Sequence, residues 1–208
     1  LVPENAPKRV LVPSVANGGN RIGDLWRGQS FDDSAWRPGT GGVGYERGSG
    51  YQSLIQIDVG AEMYRINGSC FIRIPFAGSN AAYPNLTLKV RYDDGFIAYL
   101  NGTEVARRNF TGEPRWNSVG STDNPDAAAV EQALFDISAH AGLLKPGANL
   151  LAVHGLNGTI DSSDFLISVE LVAGRLSAGT VSPTALRYPG PMSLKQSSRL
   201  RARAFNGK

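Results

Sequence analysis

The segment Asp93-Asp94-Gly95-Phe96-Ile97-Ala98-Tyr99-Leu100-Asn101-Gly102-Thr103-Glu104-Val105-Ala106-Arg107 constrains this chain more than any other. Asn101-Gly102 is the dipeptide best suited to a two-residue type I′ turn, because both central positions need φ > 0. The residues on either side read as the two strands of a hairpin. Asp93-Asp94-Gly95 marks a turn before the first of them. Upstream, Leu86, Leu88, Val90 and Tyr92 fall on one face of a strand, and Thr87, Lys89 and Arg91 on the other. The hairpin therefore predicts a β-sheet and the direction of its strands.

The rest of the chain has the same character. Ser69–Phe76 alternates Phe71 and Arg73 against Ile72 and Ile74. Asp136-Ile137-Ser138, Asn149–Val153 and Asp164–Val172 are further strands, with a turn at Leu143–Gly147. Many short strands separated by turn residues predict an all-β protein, an antiparallel β-sandwich. The Ala127–Leu134 run is the candidate helix, with a strand as its alternative. Trp26 and Trp36 are expected to pack an N-terminal lobe. Gly39–Gly50 reads as a glycine-rich surface loop and lacks the Lys-Ser/Thr ending of a phosphate loop.

Composition narrows the function classes. With 208 residues, 41% of them hydrophobic, the chain can bury a sizeable core, while 25 glycines and 12 prolines are too many for a helical bundle. No apolar run approaches the roughly 18–20 residues of a membrane span. Cys70 is the one cysteine, so an internal disulfide and a Cys-based zinc site are excluded, and a buried thiol is expected. His140 and His154 are too few for a polyhistidine metal site. The net charge of +3 is uneven: residues 171–208 carry seven basic residues and no acid, including the alternating Arg199-Leu200-Arg201-Ala202-Arg203. Strict alternation fits a strand with one charged face, and base-reading motifs are absent, so nucleic acid is not an expected partner. Both termini look cut from a longer protein, so targeting signals are expected to lie outside this sequence.

Several spacings also carry a family resemblance. Asp93-Asp94-Gly95 followed by Tyr99-Leu100-Asn101-Gly102-Thr103-Glu104-Val105-Ala106-Arg107 resembles the central hairpin of galactose-binding-like jelly-roll domains. Phe135-Asp136-Ile137-Ser138 and Leu144-Lys145-Pro146-Gly147-Ala148-Asn149-Leu150-Leu151-Ala152-Val153 are similar to the later strands of that fold, in the order found in the sugar-binding β-sandwich of family-two glycoside hydrolases. Phe31-Asp32-Asp33-Ser34-Ala35-Trp36 and Ser162-Ser163-Asp164-Phe165 resemble accessory domains of large secreted bacterial proteins. The resemblance spans about residues 20–173. It implies a jelly-roll accessory domain over 1–173, exported to the cell surface or the medium. Residues 174–184 are then a linker, and 185–208 a short β segment similar to part of a chitobiase C-terminal-type domain.

Strand direction supplies the candidate site. If strand 86–92 runs toward Asp93, antiparallel alternation returns the chain to the same end after Arg108 and after Val153. That gathers Asp93, Asp94, Arg107, Arg108, Asn109, Trp116, His154, Asn157, Asp161 and Asp164 near one rim. Asn, Asp and Arg side chains suit paired hydroxyls, and Trp116 is either a stacking platform for a sugar or a cover for its own loop. Arg107, Asn109, Trp116, His154, Asn157 and Asp164 are the expected ligand-binding set. His154 has the alternative of a hydrogen-bonded core residue. Asp93 and Asp94 are candidate calcium ligands, or else Asp93 accepts turn N–H bonds. Asp32 and Asp33 are either a second calcium loop or a helix cap. No Gly-x-Ser-x-Gly elbow occurs. The expected function is a non-catalytic module of a multidomain parent, with a polysaccharide or glycan and the parent's other domains as partners. A ligand-free spacer and a hydrolase on a jelly-roll scaffold are the alternatives.

Overall fold

The computed structural model describes residues 1–79 and 83–174. By its internal contacts the chain divides into two units, Leu1–Leu176 and Ser177–Lys208. The expected linker at 174–184 and the β segment at 185–208 lie outside the described residues, apart from Gly174.

Among the described residues, eleven strands build two sheets. They are β1 (Lys8–Leu11), β2 (Arg37–Gly39), β3 (Gly42–Glu46), β4 (Ile55–Asp58), β5 (Ser69–Gly78), β6 (Asn85–Asp93), β7 (Gly95–Leu100), β8 (Thr103–Arg108), β9 (Ala133–Asp136), β10 (Gly147–Leu156) and β11 (Asp164–Gly174). One sheet runs β2-β1-β5-β10-β7-β8 and the other β4-β3-β11-β6-β9. The all-β sandwich is what the strand pattern predicts. One detail differs: β3 and β4 pair in parallel, whereas every other pairing among the described residues is antiparallel. Among the described residues no helix is long and apolar enough to cross a membrane.

The core lies between the sheets. Leu86, Leu88 and Val90 of β6 face Ile72 and Ile74 of β5 and Phe96 of β7, all buried. Cys70 is buried in the same layer, and burial pushes its thiol well above the ordinary range. At the hairpin between β7 and β8, Asn101 (φ 51°) and Gly102 (φ 91°) take the left-handed pair that a type I′ turn needs. Pro75 stands where β5 has left β1 and pairs with β10 alone, so its missing N–H breaks no ladder bond.

The six-stranded sheet is buried on its outer face as well. Trp26 and Trp36 cover Phe71, Ile97, Tyr99 and Leu156, with Trp26 stacked on Phe71 at 4.2 Å between centroids. Arg73 points into this cover. It pairs with Asp33 at 2.6 Å and donates to the carbonyls of Trp26, Gly28 and Phe31. Asp33 is thus the partner of a buried arginine, and Asp32 accepts the Ser34 N–H at 2.9 Å; neither caps a helix.

Two segments depart from the sequence expectations. Gly39–Gly50 is not a loop throughout: β3 occupies its middle and buries Val43 and Tyr45. A Cβ at Gly44 would meet the Phe165 carbonyl oxygen at 2.0 Å, so the glycine permits close backbone approach to β11. The Ala127–Leu134 run splits into one helical turn, Asp126–Ala129, and the start of β9.

Candidate functional site

β6 belongs to one sheet and β7 to the other, so Asp93 and Asp94 stand where the chain crosses between layers. The connection from β10 to β11 crosses at the same end, at 157–163. The loop after β8 arrives there too. This is the end at which antiparallel alternation gathers the predicted rim.

The three connections are joined by specific hydrogen bonds. Asp94 Oδ1 accepts the Asn124 N–H at 3.0 Å and Oδ2 accepts the Gly158 N–H at 2.6 Å. Asn124 Nδ2 donates to the Tyr92 carbonyl at 2.7 Å. Asn109, in the left-handed region at φ 53°, donates from Nδ2 to the Asp94 carbonyl at 2.8 Å and to the Asp123 carbonyl at 3.4 Å. Asn157 Nδ2 donates to the Tyr45 hydroxyl at 2.9 Å and the Asp164 carbonyl at 3.0 Å.

Between them lies a cavity of about 330 Å³. Its wall includes Asp93, Asp94, Asp123, Asp126, Ser162 and Asp164. Among the described residues no lysine, arginine, histidine or aromatic residue lines it. Asp123 and Asp126 are exposed at its mouth. Asp93 is 3% exposed, and its Oδ2 finds no hydrogen-bond partner among the described residues. The Tyr51 hydroxyl is buried beside it, and burial and then the Asp93 charge push that hydroxyl well above its ordinary range.

The electrostatics follow from burial and crowding of like charges. Burial, then the adjacent Asp94 carboxyl and the Asp164 charge, hold the Asp93 carboxyl far above the ordinary carboxylate range, so it keeps its proton at neutral pH. Burial also raises Asp164; Ser162 opposes this through a hydrogen bond, and Asp126, Glu46 and Asp94 add to it.

The predicted site residues separate into groups. Asp93, Asp94 and Asp164 line the cavity. Asn109 and Asn157 sit beside it, and their side-chain amides hold its loops in place. His154 is not on the rim. The strand does not stop at Val153 but runs to Leu156, so His154 is a mid-strand residue facing the outer cover. It is 1% exposed, edge-on to Phe71 at 4.8 Å, with Nε2 bonded to Ser69 Oγ at 2.8 Å. Burial, and then the Arg27 charge, lower its pKa to about 3. Trp116 packs partly buried against the outer cluster rather than on the cavity, which is the loop-cover alternative. Arg107 is held by Glu104 at 2.6 Å and lines a separate opening between β8 and β9. Asp123, Asp126, Ser162 and Tyr51 are absent from the expected set. The Asp123-Asn124-Pro125-Asp126 run, dense in turn formers within a loop already assigned to this rim, was the signal for two of them.

The cavity does not match a resident calcium ion. Calcium takes about six to eight oxygens. Here both Asp94 oxygens already accept backbone N–H groups, and Asp93 retains its proton. Among the described residues no three His, Cys, Asp or Glu side chains converge as a metal-binding group. The arrangement instead offers hydrogen-bond acceptors and negative charge to a ligand rich in donors.

No protein-family model matches the chain, and no curated protein does. Among solved structures, the chain is similar to a Bacteroides uniformis β-glucuronidase 2 covalently bound to cyclophellitol-6-carboxylate aziridine. That likeness has 12% identity and a TM-score of 0.45, over 79% of this chain and 17% of that one. An uncultured Clostridium sp. β-glucuronidase matches at 15% identity and TM-score 0.42, over 74% of this chain and 21% of that one. A Streptomyces avermitilis α-L-rhamnosidase complexed with L-rhamnose matches at 22% and 0.33, over 50% and 8%. The chain thus spans about a fifth or less of the length of these structures, and likeness at this level establishes neither a shared family nor a shared activity.

Proposed function

We propose that residues 1–174 form a non-catalytic carbohydrate-binding module of an exported multidomain protein, with the ligand in the cavity between Asp94, Asp123, Asp126 and Asp164. The cavity itself carries this reading. It is concave, its wall is rich in carboxylate and hydroxyl oxygens, and it lies where three loops meet on a rigid sandwich. Sugar hydroxyls are donors that such acceptors take in pairs. Hydrolysis by a serine nucleophile is disfavoured because the hydrogen-bonded Ser–His pair lies away from the cavity, and one cavity carboxylate is occupied. The Ser69–His154 pair is 0% and 1% exposed beneath Trp26, and both oxygens of Asp94 hold the loops together.

A ligand-free spacer is the second reading, and one observation favours it: Asp94, Asn109, Asn124 and Asn157 are all engaged in bonds internal to the rim. A glycan array with the 208-residue chain separates the two. Binding to a subset of glycans, lost in Asp126→Ala and kept in Trp116→Ala, is the expected result. No binding to any glycan, or binding lost in Trp116→Ala and kept in Asp126→Ala, overturns it.

A further inference from the structure

We infer that Arg47 and Arg65, gathered on the Tyr64 ring beside the cavity, bind the acidic group of a glycan, a carboxylate or a sulfate ester, while a neutral residue of the same glycan occupies the cavity. This rests on the carbohydrate reading and adds an acidic group to the ligand. The Arg47 guanidinium stands 4.0 Å from the Tyr64 ring centroid and that of Arg65 stands 5.1 Å from it. Two like charges thus share one ring. Both arginines are exposed, and among the described residues neither side chain makes an ion pair or a hydrogen bond. The carboxylates nearest them in sequence are turned elsewhere. Glu46 accepts the Gly48 and Tyr51 N–H groups at 2.7 and 3.3 Å, Asp58 accepts the Gly60 N–H at 2.8 Å, and Glu62 faces Arg37 at 3.7 Å. Asp161 is exposed and pairs with neither arginine. The pair therefore keeps its charge for an outside anion, and guanidinium forks suit carboxylate and sulfate oxygens in geometry and charge.

The second observation is how the pair is keyed to the cavity wall. Arg47 donates its backbone N–H to the Ser163 carbonyl at 2.9 Å, and Arg65 donates its own to the Ile160 carbonyl at 2.5 Å. Tyr64 packs edge-on to Tyr45 at 6.4 Å, and the Tyr45 hydroxyl donates to the Ser162 carbonyl at 2.9 Å. Ser162 and Ser163 line the cavity. The sheet order sets the two charged regions apart: β11 runs between β3, which leads into Arg47, and β6, which ends at Asp93. The arginines accordingly lie on one flank of the 157–163 connection and the aspartates of the cavity on the other. An acidic sugar is repelled from the aspartates and drawn to the arginines, so this division also sets the direction of a bound chain. Ile66 and Ile160, 62% and 46% exposed, border Arg65 and offer apolar surface to the C–H face of a sugar ring.

Calorimetric titration of the full chain at pH 7 in 50 mM sodium chloride tests this. The probes are hexagalacturonate with its methyl ester, cellohexaose with its sulfate ester, and polyglutamate. The acidic member of at least one pair is expected to bind about tenfold more tightly than its neutral counterpart, as two charge-assisted contacts allow. Preference within the first pair assigns a carboxylate, and within the second a sulfate. The margin is expected to vanish in Arg47→Gln/Arg65→Asn, with affinity for the neutral member unchanged. Asparagine is chosen because Arg65 sits in the left-handed region at φ 59°, which asparagine tolerates. Arg47→Gln alone, at an exposed position, is expected to reduce the margin and serves if the double variant melts earlier than the wild type. Neutral members that bind as tightly as acidic ones overturn the inference and leave the carbohydrate reading standing, as does a margin that survives both substitutions. No binding of any oligosaccharide removes both. Polyglutamate binding as tightly as the acidic oligosaccharide overturns the glycan in favour of an acidic protein surface.

Discussion

The Asp94 carboxylate accepts the Gly158 backbone N–H at 2.6 Å, and this contact ties together two connections that each cross from one sheet to the other. A Cβ on Gly158 would stand 2.6 Å from Asp94 Oδ2 and 2.8 Å from Asp123 Oδ1. Asp94 cannot swing aside freely, because its other oxygen holds the Asn124 N–H. Gly158→Ala is therefore expected to cost about 1–3 kcal/mol, the usual scale for overpacking. Asp94→Ala, which strands two partly buried N–H groups, is expected to cost about 2–4 kcal/mol. Urea denaturation checks both. A Gly158→Ala protein as stable as the wild type would show that the rim is loosely held.

Arg73 anchors the outer cover, and its loss should detach that layer first. Its side chain is 4% exposed, and its guanidinium pairs with Asp33. Removing one partner of a buried ion pair costs about 3–5 kcal/mol, so Arg73→Met is expected to fall in that range. Since Arg73 holds the Trp26 carbonyl, the same variant should shift tryptophan emission to the red. Unchanged emission would contradict the anchoring role.

His154 gives the fold an acid sensitivity. Its pKa is lowered to about 3 in the folded state, first by burial and then by Arg27, against an unfolded value near 6.5. The unfolded chain binds the proton first, so this contribution is present above about pH 6.5 and is lost as pH falls toward 3. His154→Gln keeps a partner for Ser69 without titrating. Its stability relative to the wild type should rise as pH is lowered from 6.5 to 4, by up to about 1.4 kcal/mol per pH unit. A constant difference across that range would contradict the buried neutral imidazole.

Asp93 works in the opposite sense. Its folded pKa is raised, so its contribution is fully present below the unfolded value near 4 and is lost as pH climbs toward the folded value. Asp93→Asn cannot ionise. Its melting temperature should gain on the wild type as pH rises from 4 to 8, with little difference below pH 4. Since the His154 and Asp93 slopes oppose one another between pH 4 and 6.5, the wild-type profile is flatter there than either variant's. An Asp93→Asn protein that loses ground on the wild type as pH rises would contradict the protonated buried carboxyl.

Strand pattern and direction were readable from local signals. β6 alternates cleanly because one face is core and the other wet, and Asn101-Gly102 fixes a turn because few dipeptides accept two positive φ values. Those two signals place the 109–126 and 154–164 segments at the Asp93 end. What failed to show in the sequence depends on the third dimension. β3 is rich in glycine because β11 approaches its backbone closely, and glycine read locally looks like loop. His154 sits under a tryptophan from residue 26, a contact with no short-range signature. Arg107 and Trp116 reach the rim by strand counting, yet side-chain direction turns them to Glu104 and to the outer cluster.

Backbone-amide NMR of the 208-residue chain, titrated with the tightest glycan from the array, tests the cavity most directly. The account predicts the largest shifts at Asn124, Gly158 and Asp164, with little change at Trp26 or along β8 and β9. Shifts confined to the outer cover or to the β8–β9 opening, or no shifts at saturating glycan, would contradict it.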